Sequence, residues 1–220
     1  MVMLSPSTLL ISINTLYYDT YNLLVSHTED VANQISWLNN ELEWAQQNNI
    51  TVWLMGHIYP SAGEATAYYR QNLANLVMQY NNTVRYQFWG HSHLDEYIIY
   101  ATGNVGWITP SVMPDQHNPS YRVFTYDNES FQILDYTDYV LDLDYLISTG
   151  EFQYNKYYSA TESYGLGSME SAAWVDFYLR MSYNQSLFDL FYQHYNVSDK
   201  LVPNFCADEC RIDFLKDMLV

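Results

Sequence analysis

The chain has 220 residues, of which 49% are hydrophobic and 17% aromatic, enough to bury the core of one domain or of a domain with a smaller appendage. Its 25 acidic side chains against 8 basic ones give a formal charge of -17, which opposes any phosphate backbone and argues against a nucleic-acid partner. No apolar run reaches the roughly 20 residues needed to cross a bilayer, so no transmembrane segment is expected, and the first 18 residues lack the basic start of a secretory signal. Export would therefore require a signal upstream of Met1. The same negative charge repels anionic lipid at neutral pH, and protonation of the six histidines would reduce it to about -11 in an acidic compartment.

In chain order, the apolar residues Leu9, Leu10, Ile11 and Ile13 predict a strand over 9–14. Ile35, Leu38, Leu42 and Ala45 recur at helical spacing and predict a helix over 31–47. A strand over 51–55, a helix over 65–80 and a strand over 86–89 follow, so the first part alternates strand and helix. Such alternation implies an α/β layer architecture, whose ligands gather at the carboxyl ends of the strands. From 96 to 135 the rhythm becomes short strand-like runs at 97–101, 105–109, 121–126 and 131–134, broken by Gly, Pro and Asn turns, and is read as antiparallel sheet. Beyond about residue 141 the pattern turns helical. Trp174, Phe177, Tyr178 and Met181 share one face, and Leu187, Phe188, Phe191 and Tyr192 another. The expected domains are 1–140 and a helical subdomain, 141–220.

Two Gly-His pairs close consecutive predicted strands, Gly56-His57 and Gly90-His91, and the second continues through Ser92 to His93. Glycine permits an abrupt turn and close approach, and two residues of separation in an extended segment sets His91 and His93 on one side. Neutral imidazole is a good ligand for zinc, iron or manganese, so the three histidines are candidate metal ligands expected to converge on one cavity. His27, His117 and His194 lack such company and are expected at the surface. Cys206 and Cys210 form a Cys-x3-Cys pair that is compatible with a small disulfide loop, a metal clip or two free thiols. Five Asn-x-Ser/Thr sequons begin at Asn49, Asn81, Asn128, Asn184 and Asn196 and are candidate glycosylation sites.

The run from Val52 to Ile58, followed by Arg85 to Tyr97 with its Gly-His-Ser-His core, resembles the second half of the calcineurin-like metallophosphoesterases. Within them it is most similar to the acid sphingomyelinase family, and the similarity continues through Thr109-Pro110-Ser111, Asn118 to Val123 and the tail to Cys210. The resemblance implies a partial metallophosphoesterase sandwich followed by a helical carboxy-terminal subdomain. It further implies two zinc ions, with His57 and His91 on one and His93 on the other, a Cys206–Cys210 disulfide, and a secreted or lysosomal protein. Tyr121 falls near the expected lipid headgroup and is a substrate-binding candidate. Tyr59, in Ile58-Tyr59-Pro60-Ser61, replaces a Pro-Pro-Gly turn usual among the relatives.

The activity so implied is hydrolysis of sphingomyelin to ceramide and phosphocholine at a membrane surface approached peripherally. A phosphodiesterase of nucleotides or other soluble phosphoesters is the alternative, and a non-catalytic secreted glycoprotein a third reading. The family's Asp-x-His, bridging Asp and Asn-His elements are not identifiable. Asp115-Gln116-His117 and Gly103-Asn104-Val105 match them only superficially. The chain is accordingly expected to be an incomplete and inactive part of a longer enzyme.

Overall fold

The computed structural model describes residues 1–25, 27–114, 117–197, 206 and 209–220. Its contacts define two compact units: Met1–His91 with Ile98–Ile108 and Leu219–Val220, and Ser92–Tyr97 with Thr109–Met218.

In the first unit the strands are β1 (Val2–Ser5), β2 (Thr8–Ser12), β3 (Thr51–Met55), β4 (Val84–Trp89) and β6 (Val105–Ile108), and the run continuing into it from the other unit is β5 (Glu96–Ile99). They make one sheet in the order β1-β2-β3-β4-β6-β5. β1 is antiparallel to β2, whereas β2–β3, β3–β4 and β4–β6 are parallel. Parallel neighbours need crossovers, which α1 (Gln34–Gln47) and α2 (Ala67–Gln79) supply. The α/β expectation is met, with helix and strand bounds close to those predicted.

The helices form where their apolar periodicity meets the sheet. α1 buries Ile35, Leu38, Leu42 and Ala45, and α2 buries Tyr69, Leu73, Leu76 and Val77, against Leu9, Ile11, Val52 and Leu54. The start of α1 is tied by Asp30, whose carboxylate accepts from the backbone of Ile35 at 2.8 Å and of Ser36 at 3.0 Å and from Ser36 Oγ at 2.6 Å. These bonds satisfy amides that a helix start leaves without partners.

β6 departs from the antiparallel reading of 96–135. Its Trp107 and Ile108 register in parallel with Phe88 and Trp89. All four residues of β6 are buried, as in an interior strand, and an apolar run of that length carries no alternation from which direction can be read. β1 escaped prediction because it is a short, largely exposed edge.

The second unit has a three-stranded antiparallel sheet, β7 (Ser120–Tyr126), β8 (Ile133–Leu141) and β9 (Tyr154–Ser159), in that order. Here the antiparallel expectation holds, but β8 runs on through Leu141 to pair with β9, so the sheet crosses residue 140. β9 was missed because its polar, half-exposed sequence shows no strand pattern until β8 supplies a partner. Five helices accompany it among the described residues: α3 (Leu143–Thr149), α4 (Ala160–Tyr164), α5 (Ser171–Tyr183), α6 (Gln185–Tyr195) and α7 (Glu209–Asp217).

The predicted faces are realised: α5 buries Trp174, Phe177 and Met181, and α6 buries Phe188 and Phe191. These rings meet Tyr97, Tyr136 and Tyr164 in an aromatic core, with Tyr164 stacked 4.5 Å from Phe177 and Trp174 stacked 5.9 Å from Tyr136.

Gly56, at the end of β3, illustrates how packing selects a residue. A Cβ there would lie 2.7 Å from both Thr15 Cγ2 and the Trp89 ring, so glycine is required by crowding. Gly56→Ala is expected to lower unfolding stability by about 1–3 kcal/mol in urea titrations, the usual cost of overpacking a core.

Candidate functional site

Parallel pairing brings two of the predicted histidines together. Met55 and Phe88 are in register on β3 and β4, so the Gly-His pairs that follow leave the sheet side by side. Gly56 N donates to Phe88 O at 3.1 Å, and Gly90 N donates to His57 O at 2.9 Å. Thr15 Oγ1 accepts from the backbone of His57 at 3.1 Å and of Ile58 at 2.8 Å, which fixes the turn after β3. The His57 and His91 rings end 5.2 Å apart, edge to face at 84°. Glu64 places Oε2 3.6 Å from His91 Nε2, on the side chain of a residue that sequence reasoning did not single out.

His91 and His93 both have left-handed backbones, with φ of 85° and 65°. A non-glycine residue in that region costs about 1–3 kcal/mol and persists only where its surroundings impose it. The expected strand-like spacing of these two residues is thus replaced by a bend. His93 belongs to the second unit, whereas His57 and His91 belong to the first.

Imidazoles suit zinc chemically. Yet among the described residues no group of three or more His, Cys, Asp or Glu side chains is arranged to hold a metal ion. His57 and His91 amount to part of a donor set, short of the roughly four ligands zinc takes. The described residues do not by themselves compose a complete two-zinc centre.

The second unit holds a buried charge cluster that sequence reasoning missed, and one of its members, Asp95, follows His93 by two residues. Arg122, inward-facing on β7, donates through Nε to Asp138 Oδ1 at 2.7 Å and through Nη2 to Asp138 Oδ2 at 2.9 Å, and also pairs through Nη2 with Asp95. Its guanidinium lies 3.6 Å over the ring of Tyr136. Tyr158 donates its hydroxyl to Asp95, and Tyr136 and Tyr158 hydroxyls are 3.0 Å apart. Burial pushes Asp95 well above the usual carboxylate range; Arg122 opposes that rise and Asp138 adds to it. The direction follows from two carboxylates sharing one cation away from water. One signal for the cluster was present in the sequence: Arg122 alternates with Ser120 and Phe124 on the face a strand would bury, so it needed partners.

His194, expected at the surface, is instead buried: it stacks 3.8 Å from Tyr158, and its Nδ1 lies 2.8 Å from the Tyr164 hydroxyl. It shares the buried side of α6 with Phe188 and Phe191, a periodicity that reaches the last turn of the helix. His27 is exposed and His117 half-buried, while Asp115 and Gln116 lie outside the described residues. Asn104 is a turn residue whose Nδ2 donates to Asn81 O at 2.9 Å and Val84 O at 3.3 Å.

Tyr121 stands on the outer face of β7, stacked 5.1 Å from Tyr139 and tilted against Tyr154 at 5.0 Å. Cys206 and Cys210 are joined by a disulfide, which resolves the alternatives left by their spacing. Among the sequon asparagines, Asn49, Asn128 and Asn184 are exposed, Asn81 is half-buried and Asn196 is buried.

The fold and site define an α/β scaffold that presents paired histidines at the ends of neighbouring parallel strands. The family model described as acid sphingomyelin phosphodiesterase C-terminal region matches residues 98–218, and the chain belongs to that family. It is similar to sphingomyelin phosphodiesterase A of Dictyostelium discoideum, 28% identical over 97% of this chain and 38% of that protein. Sphingomyelin phosphodiesterase of Homo sapiens is 31% identical over 94% of this chain and 34% of its own length. Cyclic GMP-AMP phosphodiesterase SMPDL3A of Homo sapiens is 29% identical over 76% of the chain and 41% of its length. The chain therefore spans well under two thirds of these relatives.

Burial lowers the pKa of His194 from 6.5 to about 4, with Asp138 opposing the fall. In the unfolded chain this histidine binds its proton near pH 6.5, so the stability it contributes is complete above that value and is lost as pH falls toward about 4. The loss is expected to reach roughly 3 kcal/mol. Urea unfolding at stepped pH should show this slope in the wild type and a shallower one in His194→Gln.

Proposed function

We propose that this chain contributes part of the active site of a zinc-dependent phosphodiesterase of the acid sphingomyelinase type. The observation that carries the reading is the His57–His91 pair, 5.2 Å apart at adjacent strand ends, in a chain of this family. In this reading His57 and His91 hold one metal and His93 a second, and further ligands, including carboxylates, come from outside the motifs present here. Zinc, when bound, would clamp phosphate oxygens and lower the pKa of a coordinated water. The contribution of this chain is positional: Thr15 fixes the His57 turn by two hydrogen bonds, and Glu64 faces His91.

The proposed substrate is sphingomyelin, cleaved to ceramide and phosphocholine, as the names of the sphingomyelin phosphodiesterase relatives suggest. A soluble nucleotide diester is the second reading, favoured by the similarity to a cyclic GMP-AMP phosphodiesterase. The disulfide supports a secreted or lysosomal location, since such bonds persist in oxidising compartments. Peripheral contact with a lipid surface fits the exposed Tyr121 and its aromatic neighbours Tyr139 and Tyr154. No helix among the described residues is long and apolar enough to cross a membrane.

As residues 1–220 alone, the chain is expected to show no zinc-dependent turnover of sphingomyelin or cyclic dinucleotide above background. Three imidazoles lack the carboxylate that holds two dications together and the acid that protonates a leaving group, an effect typically worth about 10²- to 10⁴-fold. Assays on both substrates, alone and with a co-expressed upstream half from a relative, should show activity only in the second case and its loss in His91→Ala. Zinc-dependent hydrolysis by the chain alone, abolished by His91→Ala, would refute the reading.

Glycan attachment is expected to follow exposure. Asn196 is 5% exposed and its Nδ2 donates to Tyr192 O at 2.8 Å, whereas Asn128 sits in an open turn. Peptide mass spectrometry of the chain expressed through a eukaryotic secretory pathway should find Asn128 modified and Asn196 bare.

A further inference from the structure

We propose that the first unit carries a binding groove for a neutral saccharide, formed between α1 and α2. The groove encloses about 380 Å³, within the roughly 300–1,000 Å³ typical of small-molecule sites. Its walls are carboxamides, Asn39 and Asn40 from α1 and Asn72, Asn75 and Gln79 from α2. Ser36 and Tyr68 add a hydroxyl and an aromatic ring, and the buried Ile35 and Leu76 are its aliphatic members. Among the described residues no charged side chain lines it, so an ion entering it would lose water without gaining a counter-charge. The ligand is therefore uncharged and rich in hydrogen-bonding groups.

Helix stability does not account for these carboxamides. Asparagine is among the poorer helix formers, because its side chain competes for backbone hydrogen bonds. Among the described residues the α-helices hold four asparagines, Asn39, Asn40, Asn72 and Asn75, and all four line this one groove. Two of them are already oriented. Tyr80 donates its hydroxyl to Asn39 Oδ1 at 3.0 Å, which leaves the Asn39 amide to donate. Asn72 Nδ2 donates to Tyr68 O at 2.8 Å, which leaves the Asn72 oxygen to accept. A sugar ring matches such a wall, since every hydroxyl both donates and accepts, and neighbouring hydroxyls can take both ends of one carboxamide. Its apolar C–H face suits the Tyr68 ring and the aliphatic side chains beside it. A nucleotide would instead bring phosphate to a lining without a cation. The groove shares no residue with the His57–His91 pair, so the inference is independent of the phosphodiesterase reading.

The test is a titration of the full 220-residue chain, isotope-labelled and made without N-glycans, with maltose, lactose and diacetylchitobiose, followed on the side-chain amide resonances by NMR. At least one of the three is expected to bind with a dissociation constant on the order of millimolar and to shift the carboxamides of Asn39, Asn40, Asn72, Asn75 and Gln79. Asn40 and Asn75 are exposed, and alanine is the better helix former at both positions. In Asn40→Ala and Asn75→Ala the urea midpoint should therefore hold or rise while the affinity falls about tenfold. A merely structural role would not separate the two readouts in that way.

The sugar could come from outside or from the chain itself, because the sequon at Asn81 begins two residues beyond Gln79. Repeating the titration on chain carrying its N-glycans distinguishes the sources. Binding to both forms supports an external saccharide, and binding to the glycan-free form alone supports a groove filled by the chain's own glycan. The proposal is overturned by any of three results on the glycan-free chain: no binding of the three sugars up to about 50 mM, shifts confined to residues away from the groove, or an affinity unchanged in both variants.

Discussion

Parallel pairing of β3 with β4 is the constraint on which the candidate site depends. Register between Met55 and Phe88 means that whatever follows each strand emerges at the same edge of the sheet. Two Gly-His dipeptides separated by more than thirty residues of chain thereby become neighbours, without any long-range contact between the histidines having to hold them there. The pairing in turn requires α2 as a crossover, and α2 is retained by burying Tyr69, Leu73 and Val77 on the sheet.

The two glycines of these dipeptides have different reasons to be glycine. At Gly56 a methyl group would collide with Thr15 and Trp89, so the residue is set by packing inside the first unit. At Gly90 the nearest atom to an added Cβ is His57 Nδ1 at 3.5 Å, an ordinary contact, and crowding does not explain the choice. A repeated motif therefore does not mean a repeated cause.

In the second unit, tyrosine does the work that a purely apolar core would leave undone. Tyr136, Tyr158 and Tyr164 are buried, and burial pushes each hydroxyl pKa well above its usual value, so all three remain protonated donors. Tyr158 serves Asp95, Tyr164 serves His194, and the ring of Tyr136 covers the Arg122 guanidinium. An aromatic core with polar ends can thus enclose an ion cluster and an imidazole that aliphatic side chains would leave unsatisfied.

Local patterns in the sequence carried the α/β alternation, the faces of α1, α2, α5 and α6, and the strand-end position of two Gly-His pairs, because periodicity and strand-end position are properties of short segments. The direction of β6, the existence of β9 and the burial of His194 were not legible there. Each depends on which distant segment lies alongside: β4 for β6, β8 for β9, and Tyr158 and Tyr164 for His194. The same holds for the charge cluster. The sequence placed Arg122 at an inward position that demanded partners, but Asp95 and Asp138 lie 27 and 16 residues away, and only the tertiary structure brings both carboxylates to it. Buried charge is tolerated only in a specific three-dimensional arrangement, and that arrangement has no one-dimensional period from which it can be read.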